Sequence, residues 1–208
     1  MPRMKDSASE NNDAQKILLA ARRIGRSPQR IGTEAYMRLV PRHDAIFKVS
    51  LEKCLDAVIL NETGDGFLVR FDDPSDAVNT ALALQYRVHH EPIEGERIRL
   101  RIGLHLGVVT EMEEKIRGER RAVGMPINLT ARLMDLAVGG QILMTRAVYD
   151  DARNYVRKYP SIEGEPVSLE LIWQSHGDYR FKGHPEPLEI FEVGGKGLAR
   201  PSPYGPGG

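Results

Sequence analysis

The chain has 208 residues, of which 41% are hydrophobic and 28% are charged, which is enough to bury one core of ordinary size. Its 29 basic and 29 acidic side chains balance, which argues against a general attraction to nucleic acid or to an anionic membrane surface. The single cysteine, Cys54, excludes an internal disulfide framework, and no apolar run approaches the length of a membrane span. The composition predicts one cytoplasmic domain whose partner binds at a local site, with neither nucleic acid nor a membrane as a partner.

Both ends of the sequence are predicted to be tails. Residues 1–13 are polar, and residues 196–208 are rich in proline and glycine. Neither stretch has enough apolar surface to offset the entropy that ordering would cost. The folded domain is therefore expected to span residues 14–195.

The first half of the domain reads as a strand or short helix, a helix, a strand pair and a second helix. Residues 16–25 (KILLAARRIG) fit a short strand or one to two turns of amphipathic helix. A helical pattern begins at Thr33, and the apolar segments CLDAVIL and FLVRF form a strand pair around a Gly-Asp-Gly bend that contains Asp65. Asp73 and Pro74 have the residue types of a helix cap and a first-turn proline, so they predict the start of the next helix.

The second half contains the clearest strand, RIRLRIGLHLGVV (residues 97–109), in which apolar and polar residues alternate. Gly103 and Gly107 lie on the same face of this strand, which indicates that something approaches the backbone there. A helix from about 126 to 137 follows, and then come a short strand, another helix and a closing strand pair. Helices that alternate with antiparallel strand pairs predict an α+β sandwich of ferredoxin-like type, with helices packed on one face of an antiparallel sheet.

Three polar residues stand out as candidates for a functional site. Asp65 lies at a tight bend, where a hairpin turn residue is the simpler interpretation and a metal ligand is the alternative. Asn128 and Arg132 fall one turn apart on a helix, opposite its leucines and near its start. A carboxamide and a guanidinium at a helix N-terminus suit a phosphorylated ligand, although a solvated polar face would explain the same pair.

Five segments resemble, in this order, the class III adenylate and guanylate cyclase catalytic domain: TGDGFLVRF, DAVNTALALQ, RIRLRIGLHLGVV, VGMPINLTARLMDLAVGGQILMT and YRFKGHPEPLEIFEV. They cover roughly residues 36–193. The resemblance implies the cyclase fold and a lyase that converts ATP or GTP into the 3′,5′-cyclic monophosphate and pyrophosphate in cyclic-nucleotide signalling. It also implies a homodimer, or a heterodimer with another cyclase domain, that binds the nucleoside triphosphate between its chains.

The resemblance also assigns roles to individual residues. Asp65 corresponds to one of two aspartates that hold a pair of Mg²⁺ or Mn²⁺ ions. Asn128 and Arg132 correspond to the pair that orients the ribose and offsets charge at the α-phosphate from the other chain of the dimer. Lys182 lies where the family often has a lysine that contacts the triphosphate, and an exposed charge beside a turn is an equal alternative.

The sequence departs from the family pattern in two places. The first strand should carry an aspartate about forty residues before the bend, but Ala20, Ala21 and Arg22 stand near that position. The positions that select the purine carry Asn61 and Arg121, which match neither the adenylate nor the guanylate cyclase pair. Three alternatives stay open: a weakly active or inactive cyclase, a non-catalytic regulatory or nucleotide-binding dimerisation module, and a half-site donor to a heterodimeric cyclase.

Overall fold

A computed structural model describes residues 14–24, 33–91, 98–113 and 120–197. The tails predicted at residues 1–13 and 196–208 lie outside the described residues, apart from 196 and 197. The described strands, numbered along the chain, are β1 (Ala14–Ile24), β2 (Val58–Thr63), β3 (Gly66–Phe71), β4 (Arg99–Glu113), β5 (Arg120–Val123), β6 (Ile142–Thr145), β7 (Leu171–Tyr179) and β8 (Leu188–Gly195). The described helices are α1 (Thr33–Leu51), α2 (Pro74–His90), α3 (Met125–Leu136) and α4 (Arg146–Tyr155).

Seven of the described strands form one mixed sheet in the order β2-β3-β1-β4-β6-β8-β7, and β5 pairs with the end of β4. Neighbouring strands are antiparallel, except that β4 and β6 run parallel. The predicted α+β sandwich is confirmed. Two details differ from the expectation: β4 and β6 are parallel within a sheet that was expected to be antiparallel, and the helices lie on both faces of the sheet and not on one.

The segment that the sequence left open between strand and helix is β1, near the centre of the sheet between β3 and β4. Residues 17–21 of β1 are all buried, because helices cover both faces of the sheet at this point. A strand buried on both faces reads as a continuous apolar run and not as an alternation. This burial explains why the periodicity of residues 16–25 did not distinguish the two structures.

Helices α1, α2 and α4 contribute to the large core on one face of the sheet, and α3 packs on the opposite face, against β1 and β4. The two glycines of β4 explain how closely α3 approaches. A Cβ atom added at Gly103 would lie 2.5 Å from the backbone nitrogen of Met134, and one at Gly107 would lie 2.5 Å from Cγ of Pro126. The close neighbour that the glycines predicted is therefore α3. No described helix is both long enough and apolar enough to cross a membrane.

Candidate functional site

Asp65 lies in the two-residue turn between β2 and β3, beside the C-terminal end of β1. The turn approaches β1 closely, because a Cβ atom at Gly66 would lie 2.7 Å from the carbonyl oxygen of Ala21. The hydroxyl of Thr63 donates a hydrogen bond to Oδ1 of Asp65 over 3.2 Å. Asp65 lines an open cavity of about 340 Å³, whose other walls come from β1, β2, β3 and α3.

Arg22 forms an ion pair with Asp65. The β1–β3 register places Arg22 opposite Gly66, and its Nε donates to Oδ2 of Asp65 over 2.8 Å. Burial alone would raise the pKa of Asp65, but the hydrogen bond and positive charge of Arg22 outweigh burial and hold that pKa below its ordinary value. The same hydrogen bond raises the pKa of Arg22. The cavity therefore contains an ionised carboxylate that is already neutralised by the chain itself.

Helix α3 presents two neighbouring stripes of side chains. Ile127, Ala131 and Met134 line the Asp65 cavity. Asn128 and Arg132 each lie one position further along, about 100° around the helix axis, and both are exposed. Among the described residues, neither side chain has a hydrogen-bond or ion-pair partner. Asp65 and the Asn128–Arg132 pair thus lie in adjacent regions, and the pair does not line the cavity of Asp65.

Lys182 lies in the turn between β7 and β8, next to Gly183, which has a φ of 83°. A Cβ atom at Gly183 would lie 3.7 Å from Nη1 of Arg132, so the guanidinium of Arg132 rests against this turn. Lys182 is exposed. The structure therefore brings Arg132 to the turn that carries Lys182, and Asn128 lies one helical turn away from Arg132.

His105 lies on the face of β4 that α3 covers, between the two close-packed glycines. Its Nδ1 is 3.1 Å from Oγ1 of Thr145. Burial, with a smaller electrostatic contribution from His184, lowers the pKa of His105 to about 4. The imidazole is therefore neutral at neutral pH.

Comparisons of sequence find only partial matches. No protein-family model matches the chain. An uncharacterised protein of Mycobacterium tuberculosis is 46% identical over 87 residues, which are 42% of this chain and 26% of that protein. A receptor-type adenylate cyclase of Trypanosoma brucei brucei is 26% identical over 124 residues, which are 60% of this chain and 9% of that enzyme. The chain thus spans well under two thirds of the length of these relatives.

Comparison of structures covers most of the chain. The catalytic core of a rhodopsin-guanylyl cyclase with converted specificity, solved in complex with ATPαS, matches with a TM-score of 0.70 at 18% identity. The match covers 88% of this chain and 97% of that structure. The chain has the fold of the class III nucleotidyl cyclase catalytic domain. The fold that the sequence resemblance implied is therefore confirmed.

The metal ions that the cyclase fold implies do not fit the residues present. Asp65 is the only carboxylate among the described residues that line its cavity, and Arg22 occupies one of its oxygens. The described part of the chain also contains no group of three or more His, Cys, Asp or Glu side chains that could hold a metal. Mg²⁺ and Mn²⁺ need several oxygen ligands, which one neutralised carboxylate cannot supply.

The ion pair between Arg22 and Asp65 was not predicted from the sequence, although Arg22 lies near the position of the missing aspartate. A signal was present, because one of the three residues near the position of the missing aspartate, Arg22, is a cation that could pair with the acidic bend residue. The two residues are 43 positions apart, so the contact depends on the pairing of β1 with β3.

The two positions that the resemblance assigns to purine selection lie on different strands. Asn61 lies on β2, directly after a register shift, and lines the Asp65 cavity. Arg121 lies on β5, opposite Met112 of β4. Strands β2 and β5 contact each other without pairing in the sheet, which places the backbones of both positions on the same side of the domain.

Proposed function

We propose that this chain is a class III nucleotidyl cyclase homology domain that is inactive or nearly inactive alone and supplies half of an active site to a partner cyclase chain. The observation that carries the proposal is the asymmetry between the two halves of the site. Arg22 closes the metal half, because its Nε is bonded to Asp65. Asn128 and Arg132 are exposed and unpaired among the described residues, so the other half is open.

The closed half argues against catalysis by a homodimer. In the family that the sequence resembles, each site takes its metals from one chain and its Asn–Arg helix from the other. A homodimer of this chain would lack the metal half at both sites. Conversion of ATP or GTP would then proceed far more slowly than in an ordinary cyclase.

The open half has the chemistry that a phosphate transition state needs. Arg132 provides a planar guanidinium that can donate two parallel hydrogen bonds to phosphate oxygens. Its position against the β7–β8 turn reduces the freedom that binding would have to remove, and Lys182 adds a second cation in the same turn. Asn128 can donate to a ribose hydroxyl or to its ring oxygen. In this proposal the partner chain contributes both metals, and the heterodimer acts in cytoplasmic cyclic-nucleotide signalling.

A reconstitution experiment tests the proposal. The partner is a class III cyclase chain that keeps both metal aspartates but has its own transition-state Asn and Arg replaced by alanine. Mixing the two chains should restore one working site per heterodimer, measured as cyclic nucleotide formed with Mn²⁺. Arg132→Ala in this chain should lower the restored rate by roughly 10²- to 10³-fold, because preorganised donors at developing charge have about that effect.

Two variants serve as controls in the same assay. Asp65→Ala should leave the restored rate nearly unchanged, because the working site uses the partner's metals. Arg42→Ala removes an exposed arginine of α1, away from the proposed site, and should also have no effect. If cross-linking shows that the heterodimer forms and no activity returns, the half-site proposal is wrong. A non-catalytic dimerisation module then replaces it.

A further inference from the structure

A second cavity lies on the opposite face of the sheet from α3. Its volume is about 670 Å³, roughly twice that of the Asp65 cavity, and the two cavities share no lining residue. Three segments line this open cavity: the end of α1 with the turn after it, the first half of α2, and residues 155–161. Cavities of this size accommodate small organic ligands.

The floor of this second cavity consists of apolar groups and of polar groups that already have hydrogen-bond partners within the protein. Val156 and Tyr159 are each only 3% exposed. The hydroxyl of Tyr159 donates to the carbonyl oxygen of Leu82 over 2.9 Å. Sγ of Cys54 lies 3.2 Å from Oγ1 of Thr80, so these two polar groups also satisfy each other. The floor therefore offers contact area and few free hydrogen-bonding groups, which favours an apolar ligand body.

The rim of the second cavity is positively charged. Lys53, Arg157 and Lys158 are exposed there, and within the described residues none of them pairs with a carboxylate. Lys53 instead donates from Nζ to the carbonyl oxygen of Ser161 over 3.2 Å, which closes one side of the cavity.

Asp76 is the only carboxylate among the described lining residues. Burial and the nearby charges of Asp73 and Asp56 raise the pKa of Asp76, so the negative charge gathers on the α2 side of the cavity. Arg157 and Lys158 lie in the segment 155–161, which is the side that favours a negatively charged head group.

We infer that the second cavity binds an amphipathic carboxylate, a small molecule with an apolar body and one anionic head. The body would lie against Ala83, Val156 and Tyr159, and the head would lie at the rim near Arg157 and Lys158. Since α3 lies across the sheet from this cavity, such a ligand would not compete with a nucleotide.

Fluorescence titration of the full chain with 1-anilinonaphthalene-8-sulfonate, an anionic amphipathic probe, tests the inference. The probe should bind with a one-to-one stoichiometry to protein whose circular dichroism and thermal unfolding are those of the folded state. Decanoate should displace it, decanol should displace it at least about tenfold less well, and ATP should not displace it. Absence of binding, or equal displacement by decanoate and decanol, would overturn the inference.

Three variants locate the site. Ala83→Trp should fill the cavity and lower probe affinity at least about tenfold. The double variant Arg157→Glu, Lys158→Glu should lower the affinity for decanoate about tenfold and weaken its salt dependence, and it changes only exposed side chains, so it tests the site even if Ala83→Trp does not fold. Lys48→Glu, an exposed reversal on α1 outside the cavity lining, should change neither affinity. Unchanged binding in the double variant would overturn the inference.

Discussion

Replacing Arg22 with aspartate should turn the Asp65 cavity into a divalent metal site. Nε of Arg22 lies 2.8 Å from Oδ2 of Asp65, and Arg22 is opposite Gly66 in the β1–β3 pairing. A carboxylate at position 22 would therefore stand beside that of Asp65. Two adjacent carboxylates are ligands that hard cations such as Mn²⁺ prefer.

The magnitude follows from the exposure of the pair. The Arg22 and Asp65 side chains are 46% and 35% exposed, so loss of the ion pair itself costs about 0.2–1 kcal/mol of folding free energy. Repulsion between two carboxylates about 4 Å apart adds roughly 1–4 kcal/mol without metal, for an effective dielectric constant between about 80 and 20. A free Mn²⁺ concentration about 100 times its dissociation constant returns about 2.7 kcal/mol. For a domain of this size, that corresponds to a rise in Tm of roughly 5–10 °C.

Thermal unfolding with EDTA and with saturating Mn²⁺ measures this effect, and electron paramagnetic resonance counts the bound ion. Arg22→Asp should unfold at a lower temperature than the native chain in EDTA and recover in Mn²⁺. Arg23→Asp is the matched control. It reverses a charge that also lowers the pKa of Asp65, but neighbouring residues of a strand point to opposite faces, so it would not add a metal ligand beside Asp65. Adding Asp65→Asn to Arg22→Asp should abolish the recovery. If Mn²⁺ raises the Tm of Arg22→Asp no more than that of the native chain, Arg22 does not stand at the metal position.

Three further predictions follow from the same structure. The isolated chain should form cyclic AMP or cyclic GMP with Mn²⁺ far below about 1 per second, by chromatographic product assay, and a rate near that value would contradict the closed metal half. Gly103→Ala should lower the free energy of unfolding in urea by about 1–3 kcal/mol, because the new Cβ would lie 2.5 Å from the backbone nitrogen of Met134, whereas Gly64→Ala, with nothing within 4 Å, should have little effect. Folding lowers the pKa of His105 from 6.5 to about 4, so the unfolded chain binds more protons between these values and stability should fall as the pH falls through them. This one group should cost up to about 2 kcal/mol between pH 7 and pH 5, and His105→Gln should flatten that part of the pH profile; an unchanged profile would contradict the assignment.

The sequence predicted correctly those turns and helix starts that depend on a few adjacent residues. The Gly-Asp-Gly bend placed Asp65 in a turn, and helix α2 begins at Pro74 with Asp73 as its cap, as the residue types indicated. The two glycines of β4 indicated a close neighbour, but its identity as α3 depends on the packing of Gly103 against Met134 and of Gly107 against Pro126, which are not local in the sequence. Periodicity could not identify β1, because burial on both faces removes the alternation that marks a strand.

In the candidate site too, the sequence predicted what depends on local spacing and not what depends on the pairing of distant segments. Asn128 and Arg132 share one side of a helix because of their spacing, so the sequence alone placed them together. The bond between Arg22 and Asp65 depends on the register of two strands, which no local pattern specifies. The second cavity was not foreseen at all, because its lining comes from three separate segments whose residues are individually ordinary.

A short segment of the chain connects the helices on the two faces of the sheet. Helix α3 lies on one face, β6 lies within the sheet, and α4 lies on the other face; β6 ends at Thr145, and α4 begins at the next residue, Arg146. The segment after α4, from Tyr155, forms one wall of the second cavity. One continuous stretch, from Met125 to Ser161, therefore carries α3 at its start and the wall of the second cavity at its end. No linker separates β6 from α4, and β6 contacts both α3 and α4. We therefore expect a ligand bound on one face of the sheet to influence binding on the other face through β6.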